Sequence, residues 1–371
     1  MRVVGQIPID MLTSRCAQSL HGRRIMRRHM TYHKNTVLIF AAILLANVAW
    51  CATKDDAPSP EALISRARMQ EEVWIEGTPP MMMRAELQVY DAKGNPVHGD
   101  YALYWVSPSR WREVIRFGDY ERLRVRDSRG YWQKSGLSYE PELIFRLDKM
   151  LHLKDAFKLR TNQTLGKVKN RKENGVAEQC TEVRWPNSAD RTMCFDKPSG
   201  ALVSTEYPAG ELQTPLDLSR IEYGAFTPVA GKLVPFEIRA LNDRKVITSI
   251  KVLEISQITK EDPALFNEPA NAEFWAQCDD MQDAYVVNQV MPRYPISARP
   301  RAASGTVVLY AVIETDGSLS HIAVIQTVTA DLDDAAIDGV RHWRYKPATC
   351  GQTPIRVETS IPVGFWIGTL R

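Results

Sequence analysis

Apolar and polar residues alternate with a period of two along most of the chain, interrupted by short stretches of helical spacing. Ser59-Pro60-Glu61 predicts a helix start, with serine capping the freed amides, proline where no amide is needed and an acid in the first turn. That helix is expected to run to about Glu72. The period then becomes that of strands. Arg84–Asp91 places Ala85, Leu87 and Val89 on one face, and Gly94-Asn95-Pro96 turns the chain into Gly99–Val106. Trp111–Phe117, Tyr120–Asp127 and Tyr131–Lys134 follow, divided by Gly118-Asp119 and Ser128-Arg129-Gly130. From Pro141 to Leu153 the spacing is helical, with Leu143, Leu147, Met150 and Leu151 on one stripe. Strand-like runs resume over Thr164–Tyr223 and end with Leu233–Leu241 and Val246–Ile258. Closely spaced strands with turn residues between them predict an antiparallel meander.

The last quarter has a different grammar. Arg293–Arg299 reads as a short helical turn, and Gly305 releases the chain into Thr306–Glu314, apolar on both faces and so a central strand. Asp316-Gly317 predicts a two-residue hairpin into His321–Val328. Asp331 is expected to cap a helix burying Leu332, Ala336, Val340 and Trp343, ended by Lys346-Pro347. Ile355, Val357, Thr359, Ile361, Val363, Phe365 and Ile367 alternate with polar or small residues, a strand covered on one face. Pro362 lacks an amide for the ladder, which favours an edge or a bulge. The order is α-β-β-α-β. The fold class is therefore α+β: a curled, half-barrel-like antiparallel sheet with helices over residues 58–262, a linker over 263–277, and a small domain with a three-stranded antiparallel sheet over 278–371.

Composition narrows the function more than the fold. With 371 residues, 44% of them apolar and 25% charged, the chain is long enough for two cores and is neither disordered nor a polytopic membrane protein. The net charge is +3 with both signs interspersed, so no broad basic face calls for nucleic acid. Basic residues through Lys34 precede an apolar run from Val37 to Trp50, the pattern of an export signal within residues 1–52. Ala49 and Cys51 suit cleavage after Cys51; an uncleaved inner-membrane anchor over residues 37–50 and a lipoprotein at Cys51 are the alternatives. Met30 would give a more ordinary start, leaving residues 1–29 as a misassigned extension. An exported chain favours disulfides. Cys180 and Cys194 fall on two strand-like runs joined by Pro186-Asn187-Ser188, which pairs them across a hairpin and leaves Cys278 with Cys350. Four buried free thiols are the alternative reading.

No nucleophile elbow, zinc-binding helix motif or phosphate loop is present, so no catalytic residue, metal ligand or cofactor is assigned and the protein reads as a non-enzyme. Asp333 and Asp334 suit the first turn of a helix, and His342 suits a helix end. Arg122, Arg124 and Arg126 share one strand face, expected to be solvated; a phosphate or headgroup role is the alternative. Tyr101, Tyr104, Trp105, Trp111, Tyr131 and Trp132 are expected either in the core or lining a cavity.

Two resemblances follow. Tyr294-Pro295 with Ala298-Arg299, Gly305, Asp316-Gly317, Leu332-Asp333, Ala335-Ala336, and Trp343 through Tyr345 to Pro347 resemble the C-terminal domain of the TonB family. The resemblance implies a cell-envelope protein binding a segment of an outer-membrane transporter, or another envelope protein, by strand addition beside Ile355–Ile367. Two features depart from the family: the long Pro/Lys-rich spacer is replaced by a domain, and the Cys278–Cys350 pair is an addition. Gly99 through Glu113, then Tyr131 through Lys134, resemble the periplasmic lipoprotein carriers typified by LolA. That likeness implies a lipid or acyl ligand and a carrier role as the second function, with the TonB-like module as an interaction or structural unit.

Overall fold

A computed structural model describes residues 58–90, 94–151, 156–159, 162–185, 188–207, 218–278 and 280–366. The expected export segment and Ile367 lie outside them. No helix among the described residues is long and apolar enough to cross a membrane.

Helix α1 spans Pro60–Glu71, and the Ser59 hydroxyl accepts from the Ala62 amide at 3.2 Å as its cap. Five strands follow: β1 Met81–Tyr90, β2 Pro96–Ser107, β3 Arg110–Phe117, β4 Tyr120–Arg126 and β5 Gly130–Ser135. Helix α2 is Glu142–Leu151. It buries Ile144, Leu147, Met150 and Leu151, so Ile144 takes the place expected for Leu143. Next come β6 Thr164–Leu165, β7 Lys169–Glu173, β8 Val176–Trp185, β9 Ser188–Asp196, β10 Leu202–Glu206, β11 Arg220–Val229, β12 Lys232–Asn242 and β13 Lys245–Gln257. Each meander is local, but β1 also pairs with β13, which joins the two into one antiparallel sheet.

One core fills the helix-bearing face. Leu63, Ile64 and Ala67 of α1 and Ile144, Leu147 and Met150 of α2 pack on Leu87, Tyr101, Trp105, Ile115, Phe195, Ile221 and Ile250. The carboxylate of Glu71, at the end of α1, accepts from the Leu202 amide at 2.7 Å and tethers the helix to β10. The aromatic set is divided rather than gathered around one cavity. Tyr101 and Trp105 sit in this core, while Trp132 packs with Val114, Leu123 and Val125 of a separate cluster.

The segment expected as a linker carries β14, Glu273–Ala276, which adds to the sheet beside β5. Four residues are too few to show an alternating pattern. Phe274 meets Trp132 at 4.9 Å, and a Cβ at Gly130 would come within 2.1 Å of the Trp275 carbonyl oxygen, so glycine permits the approach.

The C-terminal module adds β15 Met281–Gln282, β16 Tyr285–Asn288, β17 Gly305–Ile313, β18 Leu319–Gln326, α3 Ala330–Val340, β19 Arg344–Lys346, β20 Ala348–Cys350, β21 Thr353–Ile355 and β22 Val357–Phe365. The turn before β17 is a 3-10 helix over Ile296–Arg301. The main sheet is ordered β18-β17-β22 and is antiparallel throughout. Four expectations change. Ile313 pairs with Leu319, so the hairpin loop has five residues, not two. Thr329 holds the N-cap position of α3 and Asp331 lies in its first turn. The helix stops at Val340, and Arg344–Lys346 is instead a strand paired with β16. Ile355 belongs to β21, one residue short of the final strand.

Both cysteine pairs form disulfides. Cys180 and Cys194 lie directly opposite in β8 and β9, with Cα atoms 4.1 Å apart. Cys278 and Cys350 have Cα atoms 5.8 Å apart. Cys350 ends β20, not the last strand, so the link ties the entry of the module to its short ribbon β15-β20-β21. It closes 72 residues, for which chain entropy gives about 4 kcal/mol. Replacing both cysteines by serine is expected to lower stability by about that amount, with calorimetry as the measure, whereas conversion of Cys180 and Cys194, a loop of 14, costs less.

Candidate functional site

Strand β22 is the edge of its sheet. Nine residue pairs join it to β17, from Gly305 with Phe365 to Ile313 with Val357. Its outer side pairs with no other strand among the described residues. Pro362 stands opposite Val308 and is exposed, as a residue without an amide donor requires. Val357, Thr359, Ile361, Val363 and Phe365 share one face, and the last three are buried against Leu332, Ala336 and Val340 of α3.

The family-motif residues brace this strand from behind. The Tyr294 hydroxyl donates to the Ala303 carbonyl at 2.6 Å, and its ring meets Phe365 edge-on at 6.3 Å. Pro295 precedes the 3-10 turn, in which Ala298 is buried and Arg299 exposed. The Trp343 indole donates to the Val290 carbonyl at 2.8 Å. Gly317, at φ +80°, leaves room for the Tyr345 carbonyl oxygen, which a Cβ would approach to 1.9 Å. Asp316 accepts from the Ser318 amide at 2.8 Å, and Pro347 separates β19 from β20.

The second face of the module is not free. Tyr310 and Val312 of β17 are buried against Trp275, Tyr131, Tyr139 and Phe145 of the large-sheet domain. A polar network runs beside this seam. Arg122 is fully buried on the helix-covered face of β4, and its guanidinium donates to Glu113 at 2.7 Å, to both Asp148 oxygens at 2.6 and 2.8 Å, and to Glu140 at 3.3 Å. Arg124 donates to Asp148 at 3.0 Å and across the seam to Glu358 of β22 at 3.2 Å. The Tyr310 hydroxyl and the Gln133 amide also donate to Glu358, at 3.1 and 3.3 Å. Burial opposes the Arg122 charge, but Asp148, Glu113 and Glu140 outweigh it and hold its pKa well above the usual arginine value. Burial pushes Glu140 up to about 7 against the pull of Arg122 and Arg124. A polar cleft of about 140 Å³ opens at the seam, lined among others by Glu140, Trp275, Tyr310, His321 and Arg356.

The arginine run was expected to be solvated; Arg122 is instead fully buried and Arg124 mostly covered. In the strand register Glu113 faces Arg124, and Leu123 and Val125 occupy the opposite face with Val114. That apolar opposite face was the available signal, because a strand buried on one side and charged on the other admits either reading until α2 is placed. Glu358, Gln133 and Tyr310 carried no signal in the sequence.

These features define a class: a curled-sheet domain with a fused α-β-β-α-β module whose last strand is an edge. Residues 290–367 match the family described as Gram-negative bacterial TonB protein C-terminal. The chain is 30% identical over 83 residues to protein TonB of Vibrio cholerae, covering 22% of this chain and 34% of that protein. It is 28% identical over 79 residues to protein TonB of Xanthomonas campestris, covering 21% and 35%. The chain thus spans about a third of the length of these curated relatives. Similar solved structures include a LolA superfamily protein from Nitrosomonas europaea, at TM-score 0.36 and 8% identity, covering 57% of this chain and 98% of that one. A DUF1329 family protein from Desulfovibrio piger gives TM-score 0.38 and 11% identity, covering 57% and 98%. The TonB-like resemblance expected for the C-terminal module is met by the family match over residues 290–367.

Removing one partner from a buried charge cluster strands the others. Arg122→Met is expected to cost about 3–5 kcal/mol in urea unfolding. Adding Glu113→Gln to Arg122→Met should recover part of that loss, since one stranded carboxylate is removed.

Proposed function

We propose that this protein is a non-enzymatic component of the bacterial cell envelope that binds a partner protein by adding an extended segment of it to β22, in transport across the outer membrane. The observation that carries the reading is a TonB-like module ending in an edge strand. An edge offers unpaired backbone donors and acceptors, so affinity comes from main-chain hydrogen bonds and selectivity from side chains beside the strand. The docking residues are Val357, Thr359, Ile361, Val363 and Phe365, with Ile355 at the entry on β21. An outer-membrane transporter is the partner class. Export through the N-terminal segment, with residues 37–50 either cleaved or kept as an inner-membrane anchor, places the folded part in the periplasm. The carrier reading has less support, because α1 and α2 fill the helix-bearing face and the aromatic set is divided between clusters.

Disulfide trapping tests the edge. With Pro362→Cys on β22, a synthetic peptide of a transporter's periplasmic N-terminal segment bearing one cysteine is expected to form a mixed disulfide. Ala323→Cys on β18, the opposite edge, is expected to form none. Equal trapping at both positions, or at neither, would overturn the assignment.

A further inference from the structure

Strand β22 has two faces, and the two ends of the second one differ. Val357, Thr359, Ile361, Val363 and Phe365 lie on the α3 side, so Glu358, Ser360, Pro362 and Gly364 alternate onto the other. At the Glu358 end this second face is closed, because Tyr310 and Val312 of β17 meet the large-sheet domain there. At the Phe365 end it is open. Pro362 and Trp366 are exposed, and Gly364 is half-buried, as is Thr306, its partner on β17.

Trp366 is 58% exposed, whereas every other tryptophan among the described residues is buried or half-buried. Its ring is nevertheless seated. A Cβ at Gly364 would come within 1.9 and 2.0 Å of two carbons of the indole, so the ring fills the space that a side chain at 364 would take. The φ of Gly364 lies outside the left-handed range, so what this glycine supplies is room and not backbone freedom. A lone exposed apolar side chain needs no explanation. An indole laid over a glycine at the free edge of a strand is a different case, because the strand gives up a side chain to seat it.

We propose that Trp366 is the selectivity platform of the docking edge: the added segment places a bulky apolar side chain, aromatic above all, opposite Gly364, where it packs on the indole. The assignment rests on the strand-addition reading and names the class of peptide that this edge prefers.

The geometry follows from the ladder. A strand added beside β22 turns its side chains alternately to the two faces. Residues directly opposite each other have Cβ atoms about 4.5–5.5 Å apart, within reach of a ring seated over the neighbouring backbone. On the α3 side, Ile361, Val363 and Phe365 are already buried and offer little free surface. On the second face, Glu358 is held by Arg124, Gln133 and Tyr310, and Ser360 and Pro362 are small. Trp366 is therefore the large apolar surface left to an incoming side chain. Its ring is also placed before the partner arrives, which lowers the ordering cost of the contact.

Mixed-disulfide yield in a glutathione buffer reads the preference on the full chain. With Pro362→Cys, the peptide cysteine that traps best fixes the register, and the residue two places along toward Gly364 is the one opposite it. Phenylalanine at that place, compared with alanine, is expected to raise the yield by about two- to tenfold, the order carried by an aromatic pair. Any effect of phenylalanine at the place between, which faces the α3 side, should not depend on Trp366. Trp366→Ala should bring the two peptides to equal yield. Gly364→Ala, which keeps the tryptophan but unseats its ring, should do the same, and Trp366→Phe should keep part of the preference. Because the ratio is read within each variant, a general loss of binding does not imitate the result. Trapping with no preference in the presence of Trp366, or with a preference that survives Trp366→Ala, overturns the platform and leaves strand addition standing. No trapping by any peptide overturns both. A change of oligomeric state on Trp366→Ala, read by light scattering, would give the ring to contact between copies of the chain. A preference appearing only when residues 367–371 are deleted would give it to the chain's own end. Either result overturns the proposal.

Discussion

Arg124 reaches from β4 to Glu358 of β22, and the placement of the module depends on that reach. Apolar contact alone would hold the two bodies together without fixing their orientation, since hydrophobic burial is non-directional. Tyr310, Val312, Trp275 and Phe145 supply the contact. The bonds from Arg124, Gln133 and Tyr310 to one carboxylate supply the orientation, because each fails if β22 shifts by a fraction of its spacing. A buried network of this kind adds little net stability over an apolar seam; what it adds is specificity of arrangement.

The double burial of β17 has the same origin. Its residues from Val307 to Ile313 are apolar at every position, a pattern read as a central strand. A three-stranded sheet with one helical layer would cover only one of its faces. Leu309 and Ala311 meet α3, whereas Tyr310 and Val312 meet the neighbouring domain. The strand's sequence thus already implied a second cover, but nothing in it named the cover.

Legibility divides along the same line. The Ser59 cap of α1, strand order in the meander, the Cys180–Cys194 hairpin pair and the α-β-β-α-β order were readable because they depend on near neighbours in the chain. Strand β14 was missed because four residues cannot show a period, and Arg344–Lys346 because three cannot. The buried arginines were missed for a different reason. Arg122 and Glu140 are 18 residues apart, and Arg124 and Glu358 are 234 apart, so their pairing is decided by the packing of α2 and of the module rather than by any local pattern.

Strand β22 consequently carries three demands along nine residues. Its apolar face must stay on α3, its first residues are tied to the seam through Glu358, and its outer edge is left for pairing. A peptide added to that edge bonds to backbone groups that neither α3 nor the seam uses, so pairing does not require either to open. Any pull on the peptide passes instead into the β17 ladder, where nine pairs share the load, and from there into both covers of β17. The end of the strand nearest Glu358 is the better anchored one, because side-chain bonds to a second domain reinforce the ladder there. The end near Phe365 is held by the ladder, α3 and the edge of Tyr294. Load applied from the Phe365 end should therefore peel the strand more readily than load applied from the Val357 end, an asymmetry that follows from where the single carboxylate sits.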